Sequence, residues 1–558
     1  MSKSKAELKF RFLRHDNIGT ADADQDKKFL SESFVDTGEL LILADTIDPR
    51  FIVVGRTGAG KTALLNRLAE TEDRVIKIAP EELALTYLSD NSVISFFMDL
   101  DIKMDLFYNL LWRHVFTVEI LKERYEIINE KKRDDFLTKI REAFGIERNR
   151  AKRDALDYLS EWGETFWQTT EYRIKEITTS LEDDFRSQVK ASGSSNLAQF
   201  LSTTAELNAE AVKSLSEEQK AEISHIGQRV VNKVQIKKLS DVMRALDEDI
   251  LIDKQKKYFI TIDKLDENWI NDELRYYLLA SLLETAKDFN HKVENAKVVV
   301  ALREDLLGRI FRFARGTGHQ EEKFKDLYVP LNWRKQDLIK LLDRRVSQLI
   351  REQYTQRAVS LKDILPTYVR VNRSRCEPTE YIIQRTMLRP RDVIMFFNEC
   401  IKAAEGKAKI AQTNIFQAEE HYSKSRLRAL ADEWYSDYQH LVEMCLFFRR
   451  YPRKFNFKDV QREKFKDDIL NFCIDFAGSE DEIYQLVSGK LSDERLDELL
   501  AEILRILFKV GFLGAKTESY LPVEWSYEGK KLKSIEIGDD TVFEIHAAFW
   551  RELGIKPE

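Results

Sequence analysis

Short apolar runs and long helical periodicities alternate along this chain. Phe51-Ile52-Val53-Val54, Val75-Ile76-Lys77-Ile78, Tyr258-Phe259-Ile260-Thr261-Ile262, Val298-Val299-Val300-Ala301-Leu302 and Leu327-Tyr328-Val329-Pro330-Leu331 are bounded by turn or charged residues. Near-continuous apolar runs of this length predict buried strands of a parallel sheet. Leu30, Phe34 and Leu40 to Leu43 have helical spacing before Asp48-Pro49 turns the chain into the first strand. The aromatic-rich stretch from Phe96 to Tyr125 predicts one buried helix, its rings most simply core. Residues 130 to 250 are rich in Glu and Lys. There Ile174, Ile177, Leu181 and Phe185 share a face, and Ser192-Gly193-Ser194-Ser195 reads as the tip of a helical hairpin.

From Trp333 onward the pattern predicts helix throughout, with Leu338, Ile339, Leu342 and Val346 at core spacing. The closing region reads as a helix over Leu499 to Phe508 and two strand-like runs, Val523 to Tyr527 and Thr541 to Ile545, around the basic loop 528–533. Helices followed by a basic-tipped hairpin predict a winged helix. The expected organisation is a lead-in over 1–50, an α/β core over 51–332 interrupted by a helical insertion at about 90–250, a helical lid over 333–426 and a winged-helix-like domain over 427–558.

A chain of 558 residues exceeds one hydrophobic core. No apolar run of about 18 residues is present to span a bilayer, and Met1 to Lys5 is polar, so neither a membrane nor an exported destination is expected. Cys376, Cys400, Cys445 and Cys473 lie far apart, which fits a reducing, cytoplasmic setting. A net charge of −7 argues against general affinity for nucleic acid. The basic and aromatic residues of 447–466, with the lysines of the wing, leave a local contact open.

The chemistry concentrates after the first strand. Gly55-Arg56-Thr57-Gly58-Ala59-Gly60-Lys61-Thr62, followed by Ala63, is a G-x-x-x-x-G-K-[ST] sequence between a strand and a helix. Glycines let backbone N–H groups surround a phosphate, and the helix start adds unpaired donors. Lys61 is then placed for the β- and γ-phosphates of a nucleoside triphosphate such as ATP, and Thr62 for Mg²⁺. Asp263 ends the third strand and is the expected second contributor to the metal shell. Asp266 or Glu267 would orient or deprotonate water, the simpler alternative for each being a helix-capping acid. Arg303, at the tip of the fourth strand, is placed to read a γ-phosphate. Arg312 or Arg315 would serve as a finger in a neighbouring subunit, though a surface arginine explains either. Arg389 and Arg391 flank Pro390 at a helix start. Positive charge opposes the dipole there, so either an anion or local acids must compensate it.

In this order the motifs resemble the AAA+/STAND superfamily of P-loop ATPases, especially bacterial NACHT-like and Orc/Cdc6-like members. Ile262-Asp263-Lys264-Leu265-Asp266-Glu267 is similar to the NACHT form of the second nucleotide motif, with Lys264 where a small residue is usual. The resemblance implies a strand-tip sensor role for Arg303 and a lid-arginine role for Arg391. His546, within Phe543 to Phe549, resembles the histidine that touches the ADP β-phosphate in STAND switches; a core histidine is the plainer reading. The expectation is a slowly hydrolysing ATP- and Mg²⁺-dependent switch that forms homo-oligomers or engages a separate effector protein, with antiviral defence implied by the resemblance. The alternatives are an ATP-dependent nucleic-acid binder using the winged helix and a nucleotide-binding scaffold that does not hydrolyse.

Overall fold

The computed structural model describes residues 10–79, 92–126, 138, 170–194, 197, 199–200, 209–233, 243–266, 272–313, 321–354, 359–461, 463–478, 482–492 and 496–556. The chain forms two compact units. One comprises Gly38–Gly55 and Leu64–Leu331, the other Met1–Thr37, Arg56–Ala63 and Asn332–Glu558.

The first unit is α/β. Its sheet contains β1 (Ile52–Gly55), β2 (Val75–Ile78), β3 (Tyr258–Ile262), β4 (Ala296–Arg303) and β5 (Tyr328–Pro330), in the order β2-β3-β4-β1-β5. Every pairing is parallel. β1 and β3 are buried at every residue and β4 at all but Arg303, which is why they read as unbroken apolar runs. The register aligns Gly55 with Arg303, and Ile52 and Ile262 with Val300. β3 therefore stops short of β4, and Lys264 to Asp266 continue past its end.

Helices Asp105–Tyr125 and Asp272–Lys292 pack together beside the sheet, and the Trp112 indole donates to the Leu278 carbonyl at 2.9 Å. The apolar stretch predicted as one helix is two, Ser92–Asp99 and Asp105–Tyr125, because Asp101 takes a left-handed φ of +53°. A helical i→i−4 ladder does not pass through that conformation. Of the inserted helices, Thr170–Ala191 packs on Glu217–Lys233, and most of the segment directly after the Ser192 turn, the expected second arm of the hairpin, lies outside the described residues. Its Phe185 ring lies 5.0 Å from that of Phe97, so the insertion belongs to the core of this unit.

The second unit is mainly helical. Its first segment is strapped onto helix Lys335–Gln353: buried Arg345 pairs with buried Asp26 at 2.5 Å and donates to the Ile18 carbonyl at 2.8 Å. Helices Pro390–Ala403 and Gln412–Glu433 pack along each other. Between the helices lies a small hairpin, β6 (Val369–Val371) and β7 (Ser374–Cys376), where unbroken helix was expected. Three-residue strands are too short to show alternation, and Asn372 makes the left-handed turn, φ +52°.

The C-terminal part holds an antiparallel sheet of β8 (Lys454–Asn456), β9 (Leu513–Lys516) and β10 (Val542–Ile545), ordered β8-β10-β9. The expected strand over 523–527 is absent. Those residues make one isolated bridge, Ala515 with Glu524, and a 3-10 turn at Ser526–Glu528. Val523 and Trp525 instead lie over Gly514, where an added Cβ would come within 2.5 Å of Val523. Their alternation reflects packing across a glycine, not a ladder.

Candidate functional site

The glycine-rich loop leaves β1 at Gly55 and ends where helix Lys61–Thr71 starts. Gly58 and Gly60 take φ of +77° and +98°, values that residues with a Cβ rarely adopt. The Ala59 amide donates to the Arg56 carbonyl at 3.1 Å, and the Lys61 ammonium reaches back to the same carbonyl at 3.3 Å. This is a tight turn delivering a lysine and a threonine into the first turn of a helix.

Several groups of the second unit converge on the loop. The Trp333 indole donates to the Ala59 carbonyl at 2.8 Å, and Arg389 Nη1 to the Thr57 carbonyl at 2.8 Å. The Arg391 amide approaches the Gly58 carbonyl at 3.4 Å, and a Cβ on Gly58 would lie 2.8 Å from the Cβ of Arg391. Arg56 Nη2 lies 3.4 Å from the Val510 carbonyl, and its guanidinium 5.8 Å from the centre of the Tyr527 ring.

Beneath these contacts lies a buried charge network. Arg389 Nη1 donates to both Glu433 oxygens, at 2.8 and 3.1 Å, and its Nε is 3.4 Å from Asp392. Arg426 reaches Asp392 at 3.1 Å and Glu433 at 3.3 Å. Burial would raise the carboxyls of Glu433 and Asp392, but the arginines win and hold both below the usual carboxylate range. Four guanidiniums (Arg56, Arg389, Arg391, Arg426) face two carboxylates (Asp392, Glu433), leaving a surplus of two positive charges. Burial, then repulsion from Arg389, pushes Arg56 down to about 10. Arg391 is lowered chiefly by burial, and among the described residues it pairs with no carboxylate. Arg56 Nη1, Thr57 Oγ1, Arg391 Nε and Ser526 Oγ are buried without a hydrogen-bond partner.

The two arginines flanking Pro390 thus separate: Arg389 is neutralised by local acids, and Arg391 is not. Leu388, directly before Arg389, holds a left-handed φ of +50°, a strained conformation for a residue with a Cβ. Buried His546 belongs to the same neighbourhood. Its Nδ1 accepts the Ala548 amide at 3.2 Å, its ring lies against Trp525 and Tyr527, and burial pushes it down to about 3. It is a neutral, packed imidazole.

The other predicted residues lie in the sheet unit. Asp263 follows β3, and its Oδ1 accepts the amide of Lys264, whose φ is +59°. Arg303 is clamped by Asp305, with Nε and Nη2 each at 3.0 Å, and reaches Asp266 at 3.4 Å. Arg312 is exposed. Glu267 and Arg315 lie outside the described residues. Sequence reasoning missed Arg426, Asp392, Glu433 and Trp333. A signal for two of them was present, since Arg426 and Glu433 stand two turns apart on one helix.

Residues 336–431 match the FunZ-associated C-terminal helical domain. That match includes Arg389, Arg391, Asp392 and Arg426 and ends before Glu433. Across 560 residues the chain is also 22% identical to an Escherichia coli (strain K12) protein named "Putative transposon gamma-delta 80.3 kDa protein", covering 96% of this chain and 67% of that one. No solved structure matches the chain.

Proposed function

We propose that this chain is a P-loop ATPase of the AAA+/STAND kind, a switch that binds ATP with Mg²⁺ and hydrolyses it slowly. The observation carrying the reading is the half-buried surplus of positive charge, Arg56 and Arg391, beside a loop whose two glycines are left-handed, the backbone conformation that suits an anion nest. Buried charge without compensation is costly, and a polyphosphate removes that cost. The strand order, which flanks β1 with β4 and β5, adds support, because open α/β sheets bind ligands beyond the carboxyl ends of their strands.

In this reading the amides of Gly55 to Ala63 hold the phosphates, Lys61 neutralises the β- and γ-oxygens, and Thr62 ligates Mg²⁺, with Asp263 in the metal's shell. Bound Mg²⁺ would supply neutralisation of the charge that develops on the phosphates. Arg391 senses the γ-phosphate. Asp266 or Glu267 positions water, and Arg303 is released from Asp305 and Asp266 when it engages phosphate. His546, uncharged, acts through shape and hydrogen bonding. The switch works by assembly of copies or capture of a separate effector.

Titration of ATP–Mg²⁺ into wild type and Lys61→Ala, with native mass measured alongside, tests the reading. Removing a charge-assisted contact should weaken binding roughly ten- to a hundredfold and abolish any ATP-dependent change of mass. Equal binding and equal assembly by the variant would overturn it.

A second reading, nucleic-acid binding by the C-terminal part, draws on the word transposon in the E. coli relative's name. Phe448, Phe455, Phe457 and Phe465 are core, so contact there would be made to phosphates by exposed Arg449, Arg450, Lys531 and Lys533 rather than by base stacking. Duplex affinity falling steeply with salt would support it, and salt-insensitive or absent binding would dismiss it. Phosphate release by wild type against Glu267→Gln separates a hydrolysing switch from a scaffold that only binds.

A further inference from the structure

Arg56 is the one charged side chain between the two glycines that open the loop, Gly55 and Gly58, and its surroundings are unusual. Its Nη2 has only the Val510 carbonyl at 3.4 Å and the Met387 sulfur at 3.8 Å. Gly511 fits beneath it only because it lacks a side chain: with φ +85°, an added Cβ would stand 3.3 Å from Nη2. The Tyr527 ring lies 5.8 Å from the guanidinium carbon and packs against Trp525 and His546. Nη1 is buried without any acceptor, and Arg389 and Arg426 repel the group. A half-buried guanidinium whose Nη1 is buried without an acceptor, with one weak hydrogen bond among like charges, is an interaction held in reserve.

We propose that Arg56 couples the loop to the C-terminal part. An anion on the loop supplies the acceptor that Nη1 lacks, and the guanidinium then grips the Val510–Gly511 turn and the Tyr527 ring more firmly. The inference rests on the reading of the loop as a phosphate site and adds the route by which its occupancy reaches residues 510–528. Neutralising the surplus charge lowers the repulsion on Arg56. The turn after helix Leu496–Lys509 and the Trp525–Tyr527–His546 cluster, whose histidine directly follows β10, then lose mobility together. Coupling of this kind works in both directions, so loosening the Tyr527 seat weakens nucleotide binding.

The test is amide hydrogen exchange over 510–528, with and without ATP–Mg²⁺ or ADP–Mg²⁺. Wild type, Arg56→Ala, Tyr527→Leu and Lys61→Ala are compared, each loaded variant at its own saturating nucleotide concentration. In wild type, nucleotide should slow exchange there on the order of tenfold. Loaded Arg56→Ala and Tyr527→Leu should show little of that slowing, and Tyr527→Leu should bind nucleotide several-fold more weakly. Protection retained in either variant would overturn the coupling, and Tyr527→Leu decides alone if Arg56→Ala does not fold. Wild type that binds nucleotide without protection of 510–528 would also overturn it, while leaving the phosphate-site reading in place. Wild type that binds no nucleotide would overturn both.

Discussion

Gly58 combines two constraints that ordinarily occur apart. Its φ of +77° disfavours any Cβ, and the space a Cβ would fill is already taken by Arg391 at 2.8 Å. Gly58→Ala should therefore destabilise the protein by about 1–3 kcal/mol. Gly308, within helix Glu304–Phe313 and with nothing within 4 Å of an added Cβ, is the matched control. Gly308→Ala should be neutral or stabilise by up to about 1 kcal/mol. Chemical denaturation of the two variants checks both signs, and equal effects would show that neither the left-handed φ nor the contact with Arg391 matters. His546 permits a pH prediction at the same scale. Its folded value of about 3 lies below the unfolded value of 6.5, so the unfolded chain binds more protons between them. Its contribution to stability is complete above pH 6.5 and is lost as pH falls. His546→Gln should flatten the denaturation midpoint against pH between about 6.5 and 5.

Among the elements, β4 carries a conflict inside an apolar run. Lys297 is buried, and its ammonium donates to the carbonyls of Ile42 at 2.9 Å and Asp45 at 2.6 Å, closing the end of helix Glu39–Ala44. Burial outweighs attraction from Asp48 and Asp45 and pushes Lys297 down to about 8. Between pH 8 and 10.5 the unfolded chain therefore holds more protons than the folded one, and stability from this group rises with pH. Lys297→Met should abolish that rise, as read from thermal unfolding across the window. The strands were legible in sequence because burial on both faces leaves an apolar run that composition alone reveals. The segment 523–527 misled for the converse reason: its alternation comes from resting on Gly514, and spacing cannot tell a covering segment from a paired strand.

On the scale of the whole molecule, one buried network serves the loop, the helical part and the C-terminal part. Glu433 accepts from Arg389 and Arg426 together. Removing its charge leaves two buried guanidiniums with Asp392 alone, so Glu433→Gln should cost about 3–5 kcal/mol, measured by urea unfolding. The network also sets behaviour in acid. Glu433 and Asp392 titrate below their unfolded values, so their stabilisation is present above about pH 4.5 and is lost progressively below it. Acid unfolding of wild type should therefore be steeper than that of Glu433→Gln. A second ionic site, Glu419 with Arg385 at 2.5 Å and Arg551 at 3.2 Å, fastens the C-terminal helix Trp550–Leu553 to helix Gln412–Glu433. Among the described residues no helix is long and apolar enough to cross a membrane.

The order of residues was enough to locate the five parallel strands, the glycine turn and the acids and arginine at the strand ends. Each of these depends on local rules, in which burial requires apolar side chains, left-handed backbone requires glycine, and a helix start exposes donors. Tertiary structure alone decided which arginine is neutralised and which is left over. Arg389 and Arg391 are near-equivalents in sequence, yet only Arg389 meets Glu433, a carboxylate 44 positions away brought close by helix packing. Charge compensation depends on distance through space, and linear spacing carries no record of it.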